Sequence, residues 1–156
     1  MRIVLVVVLA VASLGAELRG QTPTPAPPAK AAAAPPTLRP VGTMSELMVH
    51  VIRSTSDAVF YITSRTPAKA EEWEMLQAQT LMLAESANLL MLPAHARGRA
   101  QWLADSRLML EAGKKAFAAA KAKDVAALEA LNDELYQSCV VCHEHFRPGY
   151  GKRPGR

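Results

Sequence analysis

The chain has 156 residues, a length that fits one ordinary domain, and 50% of them are hydrophobic. Its formal net charge is +4, yet residues 41 to 146 hold ten Lys or Arg and thirteen Asp or Glu, so this central part is mildly acidic. A nucleic-acid-binding protein would carry its basic residues on the folded body. The charge distribution therefore excludes nucleic acid as an expected partner.

Residues 1 to 20 have the pattern of a secretory signal peptide. Arg2 is followed by an apolar run from Ile3 to Ala12 and then by small residues. The run is too short for a comfortable membrane span, which takes about 20 apolar residues. We therefore predict export to the periplasm. Because no site matches the small-x-small cleavage rule cleanly, an uncleaved N-terminal anchor is the alternative, and only in that case do we expect contact with a membrane.

Residues 21 to 40 hold seven of the eleven prolines of the chain and many alanines. Such a stretch forms an extended spacer and cannot pack a core, so we predict a linker here. The folded domain is then expected over residues 41 to 147. Residues 148 to 156 are rich in Pro, Gly and basic residues, and we predict a flexible basic tail.

From Thr43 onward the pattern of apolar residues is helical, with no alternation typical of strands. Thr43 and Glu46 form a capping box, which predicts that the first helix begins at Met44. Thr66 as N-cap and Pro67 in the first turn predict the start of a second helix. The polar stretch 53–57 in the first helix is a weak helix former and could bend it.

A third helix and a fourth follow, and Asp124 is expected to cap the fourth while Pro148 ends it. The apolar stripes predicted to face the core are Met44, Leu47, Met48, Val51, Ala58, Val59 and Ile62 on the first helix; Leu76, Leu83 and Leu90 with Met75, Met82 and Leu89 on the second; Leu103, Leu110 and Phe117 with Trp102, Met109 and Ala116 on the third; and Val125, Leu128, Leu131, Leu135, Cys139, Cys142 and Phe146 on the fourth. Four helices with short connections predict an all-α protein, an antiparallel up-down-up-down four-helix bundle.

The only two cysteines of the chain, Cys139 and Cys142, are followed directly by His143. C-x-x-C-H is the attachment signature of c-type haem. Its two thiols reach both vinyl groups of one porphyrin, and the adjoining imidazole coordinates the iron. Because both cysteines lie on the apolar stripe of the fourth helix, we expect one covalently bound haem inside the bundle, near one end. Export agrees with this prediction, since haem is attached covalently outside the bacterial cytoplasm.

Three other interpretations of the cysteine pair remain open. A thioredoxin-like redox pair stands where a strand meets a helix start, whereas this pair is predicted at the end of a long helix. A disulfide between residues three apart would close a very small loop and stabilise little. A structural zinc site is the third. Its ligands would be Cys139, Cys142 and one or two of His143, His145, His50 and His95.

The stretch CVVCHEHFR, from Cys139 to Arg147, resembles the C-x-x-C-H-x-x-(Tyr/Phe)-(Arg/Lys) ending of the class II cytochromes c, the cytochrome c′ family. The resemblance covers residues from about 41 to 147, and the motif stands at the C-terminus, as it does in that family. It implies haem thioethers at Cys139 and Cys142, a proximal iron ligand at His143 and a position for Arg147 beside that histidine. It also implies that two bundles can pair as a homodimer. The linker and the basic tail depart from the family pattern.

The sixth iron ligand decides between two functions, and the family contains both kinds. In the predicted bundle the end of the fourth helix lies near the beginning of the first, so the residue opposite His143 should fall between Met44 and Val51. Met48 is our predicted distal ligand, where low-spin members of the family resemble this segment. Met44 and a five-coordinate iron are the alternatives. His50 lies about 200° around the helix from Met48 and should face water.

The same reasoning predicts the remainder of the pocket. Its expected lining is Ala87, Leu90 and Met91 from the second helix and Trp102, Leu103 and Ser106 from the third. Arg97 and Arg99 are candidates for pairing with the haem propionates, and the alternative is that they are solvated loop charges. His95 and His145 are expected to be exposed and receive no role.

The sequence thus predicts an exported monohaem c-type cytochrome that carries electrons to and from redox partner proteins through an iron ligated by His143 and Met48. Since no nucleophile or acid–base group suited to catalysis stands out, we do not predict an enzyme. The first alternative is a five-coordinate protein similar to cytochrome c′ that binds small gases such as NO or CO. The second is a helical interaction module stabilised by zinc.

Overall fold

The computed structural model describes residues 38–96 and 99–151. The predicted signal peptide, nearly all of the predicted linker, and residues 152–156 of the predicted tail lie outside the described residues. Within the described ranges the chain is all-α and forms no strand. In chain order the elements are α1 (Met44–Glu46), a π-helical segment (Leu47–Ile52), α2 (Arg53–Phe60), α3 (Ala70–Leu90), α4 (Pro93–Ala96), α5 (Ala100–Ala122), α6 (Val125–Ala130) and α7 (Asn132–Phe146).

The predicted start of the first helix is confirmed. The Oγ1 atom of Thr43 accepts the backbone N–H of Glu46 at 3.2 Å, and the carboxylate of Glu46 accepts the backbone N–H of Thr43 at 2.7 Å. The deviation from an α-helix comes earlier than the expected bend at residues 53–57, because it occupies Leu47–Ile52. We call α1, the π-helical segment and α2 together the first stretch.

The predicted start of the second helix is wrong. The helix α3 begins at Ala70 rather than at Pro67. The Thr66 hydroxyl donates a 2.9 Å hydrogen bond to the carbonyl of Ile62, so it belongs to the turn that follows the first stretch instead of capping α3. Glu72, in the first turn of α3, caps the helix with its carboxylate, which accepts the backbone N–H of Lys69 at 3.3 Å.

The fourth predicted helix has the expected ends and one interruption. The Asp124 side chain accepts the backbone N–H of Ala127 at 2.9 Å, as the capping prediction required. A turn at Leu131 separates α6 from α7. The helix α7 ends at Phe146, before Pro148, because proline cannot continue the helical hydrogen bonds.

The helices pack side by side in neighbouring pairs. The most extensive packing joins α3 to α5, α5 also packs on α7, and α2 packs on α3, α6 and α7. Both interfaces of α5 are antiparallel. Trp102, near the start of α5, contacts Leu90 at the end of α3, while His145 at the end of α7 contacts Asp105 near the start of α5.

Ten of the 26 residues in the predicted apolar stripes are buried in the core. Leu76, Leu83 and Leu90 of α3 are buried, but the neighbouring line is exposed and its prediction as core is wrong. That exposed line consists of Met75, Met82 and Leu89. Ile52 is buried where the pattern had favoured Val51, since the π-helical segment changes which residues of the first stretch face inward. Of the described residues, none belongs to a helix that is long and apolar enough to cross a membrane.

Candidate functional site

A cavity of about 550 Å³ lies between the first stretch and α7. The first stretch contributes one wall, α7 contributes the other, and Trp102 of α5 closes the space between them. Its lining residues are Met44, Ser45, Met48, Val49, Ile52, Arg53, Ser56, Trp102, Cys139, Cys142, His143, Phe146 and Arg147. The volume falls within the range of about 300–1,000 Å³ that is usual for small-molecule and cofactor sites.

The four residues predicted to hold the haem all line this one cavity. Cys139, Cys142 and His143 come from α7, and Met48 comes from the π-helical segment. Met44, the alternative to Met48, lines the same cavity. His50 is exposed, as predicted. The structure therefore brings together groups that are some 90 residues apart in the sequence.

A smaller void of about 40 Å³ lies beside the main cavity and shares with it Met48, Ile52, Cys139, Cys142 and His143. Three of the six predicted lining residues line one of these two spaces. Trp102 lines the main cavity, and Leu90 and Ser106 line the smaller void. The other three predicted lining residues, Ala87, Met91 and Leu103, line neither space among the described residues.

The two cysteines are free thiols with an environment that keeps them protonated. Burial raises the pKa of the Cys139 thiol, and burial raises that of Cys142 to about 11, with a further contribution from the carboxylate of Asp105. A redox-active thiol pair needs the opposite, because the thiolate is the attacking species. The site therefore disfavours the thioredoxin-like interpretation.

His143 lies where its imidazole is available as a metal ligand. Burial lowers the pKa of this side chain, and the positive charge of Arg147 lowers it further, so the ring is neutral at pH 7. A neutral imidazole offers a nitrogen lone pair for coordination. The ring of Tyr150, in the turn after α7, lies 5.0 Å from the ring of His143. Sequence reasoning missed this contact.

His145 is exposed, as predicted, but it also makes a contact that the sequence did not predict. Its Nδ1–H donates a 2.8 Å hydrogen bond to the carboxylate of Asp105, which is only 2% exposed, while Gln101 donates to the other carboxylate oxygen, also at 2.8 Å. This pair ties the last turn of α7 to α5, directly beside Cys142. The sequence contained a signal for this contact, because the acidic residue Asp105 lies between Trp102 and Met109 on the apolar face of the third predicted helix.

An aromatic cluster forms the end of the main cavity. The indole N–H of Trp102 donates to the carbonyl oxygen of Leu90 at 2.7 Å, and the ring packs edge-to-face on Phe146 with centroids 5.1 Å apart. The guanidinium of Arg99 lies over both rings, at 4.7 and 4.9 Å, and donates to the carbonyl oxygens of Ala96 and His95. Arg99 thus stacks on two residues that line the main cavity, whereas Arg97 lies outside the described residues.

Within residues 38–96 and 99–151, no group of three or more His, Cys, Asp or Glu side chains is gathered closely enough to hold a metal ion. A haem iron takes four of its ligands from the porphyrin and only its axial ligands from the protein.

Comparison of the chain with models of known protein families, with curated proteins and with solved structures found no match in any of the three.

Proposed function

We propose that this protein is a periplasmic c-type cytochrome whose four helical stretches form an antiparallel bundle around one covalently bound haem. The observation that carries the proposal is that both cysteines and the histidine of the C-x-x-C-H motif share one cavity with Met48. The motif supplies the chemistry of attachment, and the cavity supplies the volume for a cofactor. Redox partner proteins are the partners that follow from this function.

The residues that line the cavity include the side chains that a haem of this type requires, two thiols and two possible iron ligands. Cys139 and Cys142 are protonated thiols on one wall, ready to add to two vinyl groups as thioethers. Neutral His143 on the same wall would be the proximal ligand, and the thioether of Met48 on the other wall would be the distal one. When bound, the haem supplies an iron that alternates between the ferrous and ferric states.

The chain itself contributes the two axial ligands, a water-excluding wall and a fixed orientation. Met48 and Met44 are half-buried against the core, and Trp102 with Phe146 covers the end of the cavity. A Met/His ligand pair raises the reduction potential, because the thioether favours the ferrous state. We therefore propose electron transfer rather than catalysis, with Met48 keeping small gases from the iron.

The first experiment is to produce the chain in a host that matures c-type haem and to extract it with acid and acetone. Covalent haem resists the extraction, whereas the double variant C139A/C142A should release any haem that it retains. Met48→Ala should then remove the weak charge-transfer absorption band typical of methionine–haem ligation and open the ferrous iron to carbon monoxide. Met44→Ala is the matched control, since it removes a second thioether from the same cavity and should keep the band.

Two outcomes would contradict the proposal at different levels. A colourless protein that carries stoichiometric zinc would overturn the haem assignment itself. A wild-type cytochrome that lacks the band and binds carbon monoxide avidly would mean that the iron is five-coordinate, and the function would then be gas binding. Loss of the band in Met44→Ala alone would assign the distal position to Met44.

A further inference from the structure

The charges on the wall of the main cavity are unbalanced. Arg53 and Arg147 are charged residues of the lining, and no Asp or Glu is among the described residues that form it. Arg53 belongs to the wall that carries Met48, and Arg147 follows α7, four residues after His143. A ligand with two carboxylates would therefore meet a guanidinium on each wall.

The π-helical segment places Arg53 one turn after Met48. The backbone N–H of Arg53 donates to the carbonyl of Met48, the bond between residues five apart that defines a π-helix. In a regular α-helix two residues five apart would point about 140° away from each other. With the wider turn, residue 53 follows residue 48 on the next turn of the same wall, and both line the cavity.

No carboxylate of the protein competes for this side chain in the described part of the chain. None of the ion pairs formed by residues 38–96 and 99–151 involves Arg53, and the residue is exposed at the cavity rim. Arg99, one of the two arginines that were candidates for this role from the sequence, instead stacks on Trp102 and Phe146 and donates to two carbonyl oxygens. Arg53 is thus the arginine on the Met48 wall that lines the cavity.

We propose that Arg53 binds a propionate carboxylate of the haem from the distal side, an inference that rests on the function proposed above. The planar guanidinium matches a carboxylate with two parallel N–H···O bonds. Its positive charge also stabilises the ferrous state relative to the ferric state, since the ferric haem carries one more positive charge. The π-helical segment then has a role, because it places a distal ligand and a propionate-binding residue on one wall.

The test compares three variants of the haem-loaded, full-length protein: Arg53→Gln, Arg53→Lys and Arg107→Gln. Arg107 is an exposed arginine of α5 that lines neither cavity, so it controls for the loss of one charge at a distance. The measurements are the reduction potential and the propionate bending band in the resonance Raman spectrum, which reports hydrogen bonding to the carboxylate. Circular dichroism verifies that each variant is folded.

Arg53→Gln should shift the propionate band and lower the reduction potential, with a several-fold change in the ferrous-to-ferric equilibrium that Arg107→Gln does not produce. Arg53→Lys should keep the potential near that of the wild type, because it keeps the charge, but should shift the band in part, because lysine lacks the fork. An unmoved band in Arg53→Gln overturns this inference even if the potential falls. A wild-type protein without covalent haem overturns the proposed function and this inference together.

Discussion

The interface between α3 and α5 and the space between the first stretch and α7 are built from opposite kinds of side chain. At Gly113 of α5 an added Cβ would lie 2.8 Å from the Cα of Ala84 in α3, so the two backbones approach as closely as glycine permits. Around the cavity, Met44, Met48 and Phe146 are long or bulky side chains and only half-buried. Small residues close one interface, and large residues line a space of about 550 Å³ at the other.

This difference divides the molecule into a closed part and an open part. The close contact of α3 with α5 fixes the position of α5, and α7 packs on α5 in turn. The wall of the cavity that carries the two cysteines is thus held from α5, whereas the wall that carries Met48 is the first stretch, which packs on α3 and begins at the capping box of Thr43. The fold around the cavity therefore has three supports: the contact of α3 with α5, the contact of α7 with α5, and the capping box of the first stretch.

The closest contact is expected to be the most sensitive to added volume. Gly113→Val would place methyl groups where the backbone of Ala84 lies, and the helices would have to move apart. We expect a loss of about 3 kcal/mol in the free energy of unfolding, at the upper end of typical overpacking costs. Chemical denaturation monitored by circular dichroism measures it. Ala118→Val, at an exposed position of the same helix, is the control and should cost far less.

An equal loss in the two variants would mean that the cost comes from a β-branched residue in a helix and not from the contact. The close approach of α3 and α5 would then be wrong. A loss confined to Gly113→Val would support the division into a closed and an open part.

The second support is the hydrogen bond between His145 and Asp105, which holds the last turn of α7 on α5. His145→Ala leaves the carboxylate of Asp105, 2% exposed, with Gln101 as its remaining side-chain donor. A buried polar group that loses a partner costs about 1–3 kcal/mol, so we expect a loss of about 2 kcal/mol. Thermal or chemical unfolding measures it, and His50→Ala, which removes an exposed imidazole, is the matched control. Identical unfolding of the two variants would contradict a structural role for the pair.

The third support is the capping box at the start of the first stretch, which holds the opposite wall. Thr43→Ala removes the acceptor for the backbone N–H of Glu46, and removal of an N-cap side chain costs about 1 kcal/mol. The midpoint of urea unfolding should fall accordingly. Thr63→Ala, at an exposed threonine outside the helices, should leave the midpoint unchanged. A response to Thr63→Ala as large as that to Thr43→Ala would argue against the cap.

Those parts of the fold that depend on local signals were predictable from the sequence. The capping box of Thr43 and the cap at Asp124 each involve a side chain and a backbone N–H three residues away, so the pattern contains both partners. Thr66 shows the limit of such signals. Its hydroxyl donates to the carbonyl oxygen of Ile62, four residues earlier, and therefore does not cap the next helix.

The parts that depend on register were not predictable. The pairing of His145 with Asp105 spans 40 residues and arises only once the alignment of α7 along α5 is fixed. The π-helical hydrogen bond from Arg53 to Met48 leaves no mark in the composition, and the position of Arg53 at the cavity was therefore not predicted. That Cys139, His143 and Met48 line one cavity depends less on an exact register, because the beginning of the first stretch and the last half of α7 lie on the same space.

The last prediction concerns a second ion pair between the same two helices, in the half of the interface away from the cavity. The Nζ atom of Lys115 in α5 lies 2.7 Å from the Oε1 atom of Glu134 in α7. Both side chains are largely exposed, Lys115 at 56% and Glu134 at 41%. In water such a pair gains little, because solvent and salt screen the attraction and two long side chains lose freedom. Lys115→Gln should therefore cost less than about 0.5 kcal/mol at low salt and nothing measurable at high salt. The contrast with His145→Ala is the informative result, since both variants break a bond between α5 and α7 and differ in the burial of the carboxylate. A loss from Lys115→Gln that equals the loss from His145→Ala and persists in high salt would mean that burial does not distinguish the two ends of this interface.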